Sequence, residues 1–403
     1  MINLTKLWTG ATQPADGLRY GLGLKAAESA RKRRPIVVWN ITRTCNLRCV
    51  HCYSDSAAAN YPGELDWIQM EKVVEDLTAY EIPALLLSGG EPMVHPDFLK
   101  LVDLASSKGL RLTISTNGTL ITPEKADLLK KAAVSYVGIS LDGIGEIHDQ
   151  FRRKKGAFDA AVRGFRACHA VGQKTGLRLT LTRHNVQNID KILDFIDAED
   201  IRRVCFYHLV PAGRGSELQM LEADESREVV DTLIRRVEHW HKRGIDREVL
   251  TVTQPADGAY LLVRMEQEEH PNLETARELL GWNGGGANSS GRGIANIDTQ
   301  GNVHPDQFWQ NVILGNVKQT KFADIWEENH EPSAAELREI RSIGLMSPAD
   351  RKARMTGRCG ECRWFHICGG GFRTRAAFAN DNLWGSDPGC YLYGEETREQ
   401  EIA

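Results

Sequence analysis

No apolar run in the chain approaches the roughly 20 residues that a membrane-spanning helix needs, so a helical membrane protein is excluded and no membrane partner is expected. Charge of one sign is missing as well. Lys and Arg number 50 against 54 Asp and Glu, a net charge of −4, with no long block of either sign. A nucleic-acid binder ordinarily carries a basic patch or stripe, and that class is set aside. The opening residues, Met1 to Trp8, lack the basic stretch and long apolar core of a secretory signal. The expected compartment is therefore cytoplasmic, where thiols stay reduced. Nine cysteines in such a chain point to metal ligands or catalytic thiols, not to disulfides. The 403 residues, 41% hydrophobic and 26% charged, suit one large globular domain or two.

Cys45, Cys49 and Cys52 are spaced C-x3-C-x2-C and follow the apolar run 36–41, which reads as a buried strand. Three thiolates in one loop after a strand can hold three irons of a cubic four-iron cluster. Iron–sulfur clusters are normally held by four cysteine thiolates, so a set of three implies an exchangeable ligand at the fourth iron. A zinc knuckle is the alternative. Zinc is usually completed by a fourth Cys or His, and His51, inside the loop, is badly placed for that. With Tyr53 directly after the third cysteine, the stretch resembles the radical SAM superfamily. The resemblance implies a [4Fe-4S] cluster on these three cysteines that binds S-adenosylmethionine (SAM) through its amino and carboxylate groups. On reduction the cofactor is split to methionine and a 5′-deoxyadenosyl radical.

Apolar runs at 36–41, 84–88, 110–115, 134–141, 177–183 and 203–209 alternate with helical patterns at 66–80, 96–108, 123–132, 157–171 and 188–198. Strands alternating with helices of that length indicate parallel βαβ units. The expected fold is α/β: a partial (β/α)6 radical SAM barrel over 35–221, then a small α+β module. The flanking pieces are an N-terminal extension 1–34 and a helical bridge 222–282, in which 224–243 carries an apolar stripe. Cys168 and Cys205 stand alone and read as packing residues.

Chemistry in such folds collects where strands end. Ser88-Gly89-Gly90-Glu91-Pro92 follows the second strand; its glycines permit close backbone approach, and it resembles the superfamily motif that holds the methionyl amino group. Ser115 and Asn117 follow the third strand. Ser140 and Asp142 follow the fourth and are suited to ribose hydroxyls or the cofactor carboxylate. Val210, after the sixth, is assigned to the adenine. On the fifth strand, alternation puts Arg178 on one face with Thr180 and Thr182, where a cofactor or substrate carboxylate would pair with it. Asp142, His148, Asp149 and Arg152 form a further polar group placed near the mouth.

The second cysteine set, Cys359, Cys362, Cys368 and Cys390, reads C-x2-C-x5-C-x21-C, a closed metal site in which softness alone does not separate zinc from iron–sulfur. With the hairpin 294–306 and the helix 322–326 before it, the segment 283–403 resembles the SPASM and twitch modules of radical SAM enzymes, which implies a second [4Fe-4S] auxiliary cluster. Such modules usually place cysteines where this chain has Asp306 and Phe372. One of the two usual clusters is therefore expected to be missing, and its vacated volume to admit a bulky substrate.

The stretch 294–309, with the glycine-rich loop 281–291 before it, resembles the NirJ family, the radical SAM enzymes of haem d1 biosynthesis. That implies an iron tetrapyrrole substrate, 12,18-didecarboxysirohaem, losing two propionate side chains, with a reductant such as ferredoxin or flavodoxin. Candidate substrate groups are His304, as an iron ligand, with Asp306, Arg152 and Arg292; Arg153, Arg214, Arg373 and Arg375 are further cations, and Phe308 and Trp309 possible platforms. Three alternatives stay open: a related enzyme of the alternative haem pathway that removes acetates or oxidises propionates, a peptide maturase sharing the module, and a non-catalytic cluster protein.

Overall fold

The computed structural model describes residues 1–12, 34–283, 290–327, 334–343 and 346–398. Most of the extension 1–34 and the centre of the glycine-rich loop lie outside them. One open sheet of eleven strands organises the chain. Its parallel body runs β2 (Ile36–Asn40), β3 (Leu85–Ser88), β4 (Leu112–Thr116), β5 (Tyr136–Ser140), β6 (Thr175–Leu181) and β7 (Arg203–His208), each paired with the next. These are the six expected strands to within a few residues. They lie side by side because their faces are apolar: Val37, Trp39, Leu85, Leu87, Ile114, Val137, Ile139 and Phe206 are all fully buried. The helices between them, such as Trp67–Ala79 and Ala157–Ala170, bury one apolar stripe each against this core. Cys168 and Cys205 are buried, Cys168 within the principal core.

Two additions extend the sheet. The segment 222–282 is helical over Ala223–Lys242, Ala256–Gln267 and Leu273–Asn283, but it also carries β8 (Glu248–Val252), parallel to β7. β1 (Ile2–Asn3) closes that edge antiparallel to β8. At the other edge, β9 (Ile294–Ile297) pairs parallel with β2, and β10 (Asn302–His304) and β11 (Gly315–Asn316) follow antiparallel. The cysteine-bearing C-terminal module is therefore rooted in the barrel's own sheet. β8 is short, with Glu248 and Thr251 among its five residues, and periodicity did not reveal it. No described helix is long and apolar enough to cross a membrane.

Candidate active site

The three-cysteine loop leaves β2 and is pinned by backbone. Ile41 N–H donates to Ser88 O (3.0 Å), Gly90 N–H to Thr42 O (2.7 Å) and Glu91 N–H to Thr44 O (3.0 Å). A Cβ on Gly89 would stand 2.3 Å from Thr42 O, and one on Gly90 2.3 Å from Thr44 O. These glycines are thus needed where the loop's own carbonyls press against them. On the far side Arg214 donates to Cys49 O (2.9 Å) and Ser56 O (2.8 Å). The helix Glu146–Arg152 ends against the loop, with Val50 N–H donating to Phe151 O (3.0 Å).

Cys45 and Cys49 are buried with Leu47 and Ala157, and Cys52 packs against them. Each sulfur faces a donor: Leu47 N–H to Cys45 (3.4 Å), Arg152 Nη1 to Cys49 (3.3 Å), Ser56 N–H to Cys52 (3.4 Å). Burial pushes the Cys45 thiol up to about 12 and raises Cys49 too. Buried thiols held this high become thiolates only when a metal takes the proton's place. Three thiols packed in one group, each with an N–H facing its sulfur, suit an iron–sulfur cluster.

Behind the loop, at the ends of the parallel strands, lies a cavity of about 140 Å³. Tyr53, Ser115, Ser140, Asp142, Arg178 and Val210 line it, as do His51, Arg152 and His208. Arg178 donates to Tyr207 Oη (2.6 Å) and lies over that ring, and no ion pair engages it among the described residues. Buried polar atoms on this wall, among them His51 Nδ1, Arg152 Nε and Gln307 Oε1, have no hydrogen-bond partner among the described residues. A cation without an anion and these orphaned polar atoms fit a polar, anionic ligand. Other sequence candidates stand behind the wall. Glu91 is fully buried and occupied: it accepts from Thr116 Oγ1 (2.7 Å), Asn117 N–H (2.7 Å) and Met93 N–H (3.1 Å). Burial pushes its carboxyl up, and those donors pull it back. Pro92 opens the single turn that follows. Asn117 Nδ2 donates to Asn46 Oδ1 (2.8 Å), inside the cysteine loop. Burial would raise Asp142, but Arg152, His51 and His148 bring it below the usual carboxylate range.

His51 was passed over in the sequence except as a zinc ligand. It lines the cavity and packs tilted against Phe151, ring centroids 4.6 Å apart, and burial lowers it to about 4, so its ring is neutral at physiological pH. A flat side chain between two cysteines of the set was the available signal.

The substrate candidates are not brought together. His304 is buried in its hairpin with both ring nitrogens engaged, Nδ1 with Val312 O (2.8 Å) and Nε2 with Asp298 Oδ2 (3.3 Å). It has no nitrogen free for iron. Asp306 is buried too, accepting from Ser290 Oγ, Thr374 Oγ1 (3.1 Å) and the N–H groups of Phe308 (2.8 Å) and Trp309 (3.0 Å). Arg152, at the end of the helix Glu146–Arg152, is engaged by the cysteine loop through Cys49. Arg292, partly buried ahead of β9, lines neither cavity described here. Arg214 and Arg375 are braces, the latter paired with Asp387 at 2.6 Å; Arg153 is exposed at a helix end. The volume expected to be vacated at Asp306 and Phe372 is largely filled. Phe372 packs on Val210, Ala212 and Phe308, leaving about 70 Å³ alongside.

Tyr53 and Phe308, 5.4 Å apart, also face an outer cleft of about 620 Å³ bounded by Arg43, Tyr61, Gln300, Asn311 and Phe378. Sequence reasoning missed Arg43, Tyr61 and Phe378, which meet only because hairpin, cysteine loop and C-terminal segment fold together.

The second cysteine set borders one small, mainly apolar cavity: Cys359, Cys362, Cys368 and Cys390, with Phe365 and Leu392. Burial raises Cys368 and carries Cys390 to about 11. Arg373 is buried close by, its Nε and Nη2 without partners. Four thiols and an under-used cation suit an anionic cluster. Among the described residues, no three His, Cys, Asp or Glu side chains gather tightly enough to hold one metal ion; the thiols of the second set border a small cavity instead.

Comparison with known proteins agrees with this geometry. Residues 39–196 match the radical SAM superfamily, and residues 289–363 match SPASM, an iron–sulfur cluster-binding domain. Fe-coproporphyrin III synthase of Methanosarcina barkeri is 42% identical over 403 residues, 98% of each chain. Pre-heme d1 synthase of Dinoroseobacter shibae is 40% identical over 370 residues, 90% of this chain and 88% of that one. Streptococcus suis SuiB, solved with S-adenosylmethionine bound, has a TM-score of 0.68 at 16% identity over 91% of this chain and 80% of that one, a likeness of fold.

Proposed function

The chain belongs to the radical SAM superfamily, and from that premise we propose that it is a tetrapyrrole-modifying enzyme that removes two propionate side chains from 12,18-didecarboxysirohaem. The observation that carries the reading is the pairing of two spaces across one aromatic wall. The inner cavity, about 140 Å³, is polar and lies under the three-cysteine loop. The outer cleft, about 620 Å³, is large and faced by Tyr53, Tyr61, Phe308 and Phe378, with Arg43 beside them. Sites for flat ligands are apolar, with a few fixed polar groups, and arginine suits rim carboxylates.

When bound, SAM and a reduced [4Fe-4S] cluster on Cys45, Cys49 and Cys52 supply a 5′-deoxyadenosyl radical. This chain's residues then do four things. Gly89, Gly90 and Glu91 hold the cysteine loop and the turn at Asn117 in register. Arg178 receives a carboxylate in the inner cavity, and Ser115, Ser140 and Asp142 offer hydrogen-bond partners beside it. His51, neutral, and Val210 give flat and apolar contact. Tyr53 and Phe308 separate the radical from water while leaving a passage to the cleft. Cys359, Cys362, Cys368 and Cys390 would hold the auxiliary cluster, and a carrier of the ferredoxin or flavodoxin class would supply the electron.

A second reading is favoured by one observation, the 42% identity that spans 98% of both chains with Fe-coproporphyrin III synthase. On that reading acetates are lost instead of propionates. Anaerobic incubation of reconstituted protein with SAM, reductant and 12,18-didecarboxysirohaem, followed by mass analysis, decides. Loss of two propionates supports the first reading and loss of two acetates the second. Formation of 5′-deoxyadenosine with an unchanged tetrapyrrole would sink both.

A further inference from the structure

The helix Glu146–Arg152 ends against the cysteine loop in two ways. Its last carbonyls accept loop amides, Arg48 N–H to Arg152 O (3.4 Å) and Val50 N–H to Phe151 O (3.0 Å). Its last side chain turns inward. Arg152, 5% exposed, donates from Nη1 to Cys49 Sγ at 3.3 Å and from Nη2 to Asp142 Oδ2. Asp142 cannot swing away. Its other oxygen accepts Thr180 N–H (2.7 Å), its carbonyl accepts Asn185 Nδ2 (3.0 Å), and its own N–H donates to His148 Nδ1 (3.0 Å). The guanidinium is therefore held between a sulfur and a carboxylate, away from water.

Among the described residues, Arg152 is the one charged donor to any of the three sulfurs. Cys45 is faced by Leu47 N–H (3.4 Å) and the Asn117 amide (4.0 Å), and Cys52 by Ser56 N–H (3.4 Å). A positive charge on a ligating sulfur stabilises the more negative, reduced state of a cluster. Hydrogen bonds to the sulfurs and net charge are recognised controls of potential. A carboxylate on the far side of the guanidinium acts in the opposite sense and more weakly, because interaction falls with distance and is stronger in a buried, low-dielectric place.

We propose that Arg152 is a positioning residue that raises the reduction potential of the cluster on Cys45, Cys49 and Cys52, with Asp142 as its counterweight. Arg152 exchanges no proton and forms no bond in this role. One electron passes from an external reductant to the oxidised cluster, and the guanidinium shifts the balance of that exchange. The inference rests on the cluster reading of the three cysteines and is independent of the tetrapyrrole.

The test is a potentiometric titration with dithionite, read by electron paramagnetic resonance, on the reconstituted full-length protein without substrate. The signal followed is the one that changes when SAM is added, which separates this cluster from the auxiliary one. In Arg152→Gln the ratio of reduced to oxidised cluster at a fixed potential falls at least tenfold, a shift of about 59 mV to more negative values for a one-electron couple. Asp142→Asn shifts it the other way. A merely structural role would not produce opposite signs. Unshifted potentials in both variants, or shifts of the same sign, overturn the proposal. Where Arg152→Gln fails to retain its cluster, Asp142→Asn decides alone: a positive shift supports the proposal and no shift overturns it. A wild type with no SAM-sensitive signal overturns the cluster reading and the proposal together.

Discussion

Around Cys45, Cys49 and Cys52 the chain holds its loop mainly with main-chain groups. Carbonyls of Thr42 and Thr44 accept the Gly90 and Glu91 amides, and Arg214 reaches two further carbonyls. The loop's inner side opens on a polar cavity. Around Cys359, Cys362, Cys368 and Cys390 the supports are buried side chains. Arg375 is paired with Asp387 at 2.6 and 2.7 Å, and Tyr391 Oη donates to Asp257 at 2.6 Å. The space enclosed is small and apolar. The difference suits the roles proposed for the two sites. A centre that exchanges a ligand needs an open, polar side and a loop that cannot drift, whereas a centre that only stays bound can be walled in.

That comparison can be broken or sharpened by experiment. The largest effect is expected in cofactor cleavage. Cys49→Ala abolishes 5′-deoxyadenosine formation, while Cys362→Ala removes the auxiliary iron and leaves cleavage detectable; equal loss in both would end the distinction. Next is stability. Arg375→Leu leaves Asp387 buried and unpaired and costs about 3–5 kcal/mol in denaturant unfolding. Gly90→Ala, whose Cβ meets Thr44 O at 2.3 Å, costs about 1–3 kcal/mol by overpacking. It also lowers iron retention at the first set, measured by iron assay.

Acid should separate the two regions as well. Burial lowers His148 from 6.5 to about 3, and its Nδ1 accepts Asp142 N–H at 3.0 Å. The unfolded chain takes up that proton first, so this support is present above pH 6.5 and is lost as pH falls toward 3. Burial would raise Asp387, but Arg375 and two backbone donors bring it below 3.8. Its contribution is therefore present above that value and lost only as pH falls further. Between pH 6.5 and 4 the first region weakens and the second holds, and His148→Gln flattens the decline in unfolding free energy. The smallest effect belongs to the hairpin. His304→Gln costs about 1 kcal/mol for its lost hydrogen bonds and leaves iron-tetrapyrrole binding, followed by absorbance, unchanged.

The six parallel strands were legible because each is an apolar run bounded by turn residues, a pattern carried within a few neighbours. β8 was not, because Glu248 and Thr251 break its apolar run and its place depends on β7. Ser115, Ser140, Asp142 and Arg178 could be put at strand ends from register alone, and they line the inner cavity. His304 and Arg152 could not be placed that way. The first turns into its hairpin, and the second reaches Cys49, 103 positions away.

By itself the sequence determined the spacing of both cysteine sets, the alternation that makes an α/β sheet, and the glycines after β3. These are local properties, set by covalent distance and side-chain periodicity. Only the tertiary structure decided which groups meet: that Gly89 and Gly90 press on carbonyls, that Phe372 fills the place of a missing cysteine, and that a guanidinium stands beside one sulfur. Those outcomes depend on close packing among elements remote in the chain, and no window of neighbours contains them.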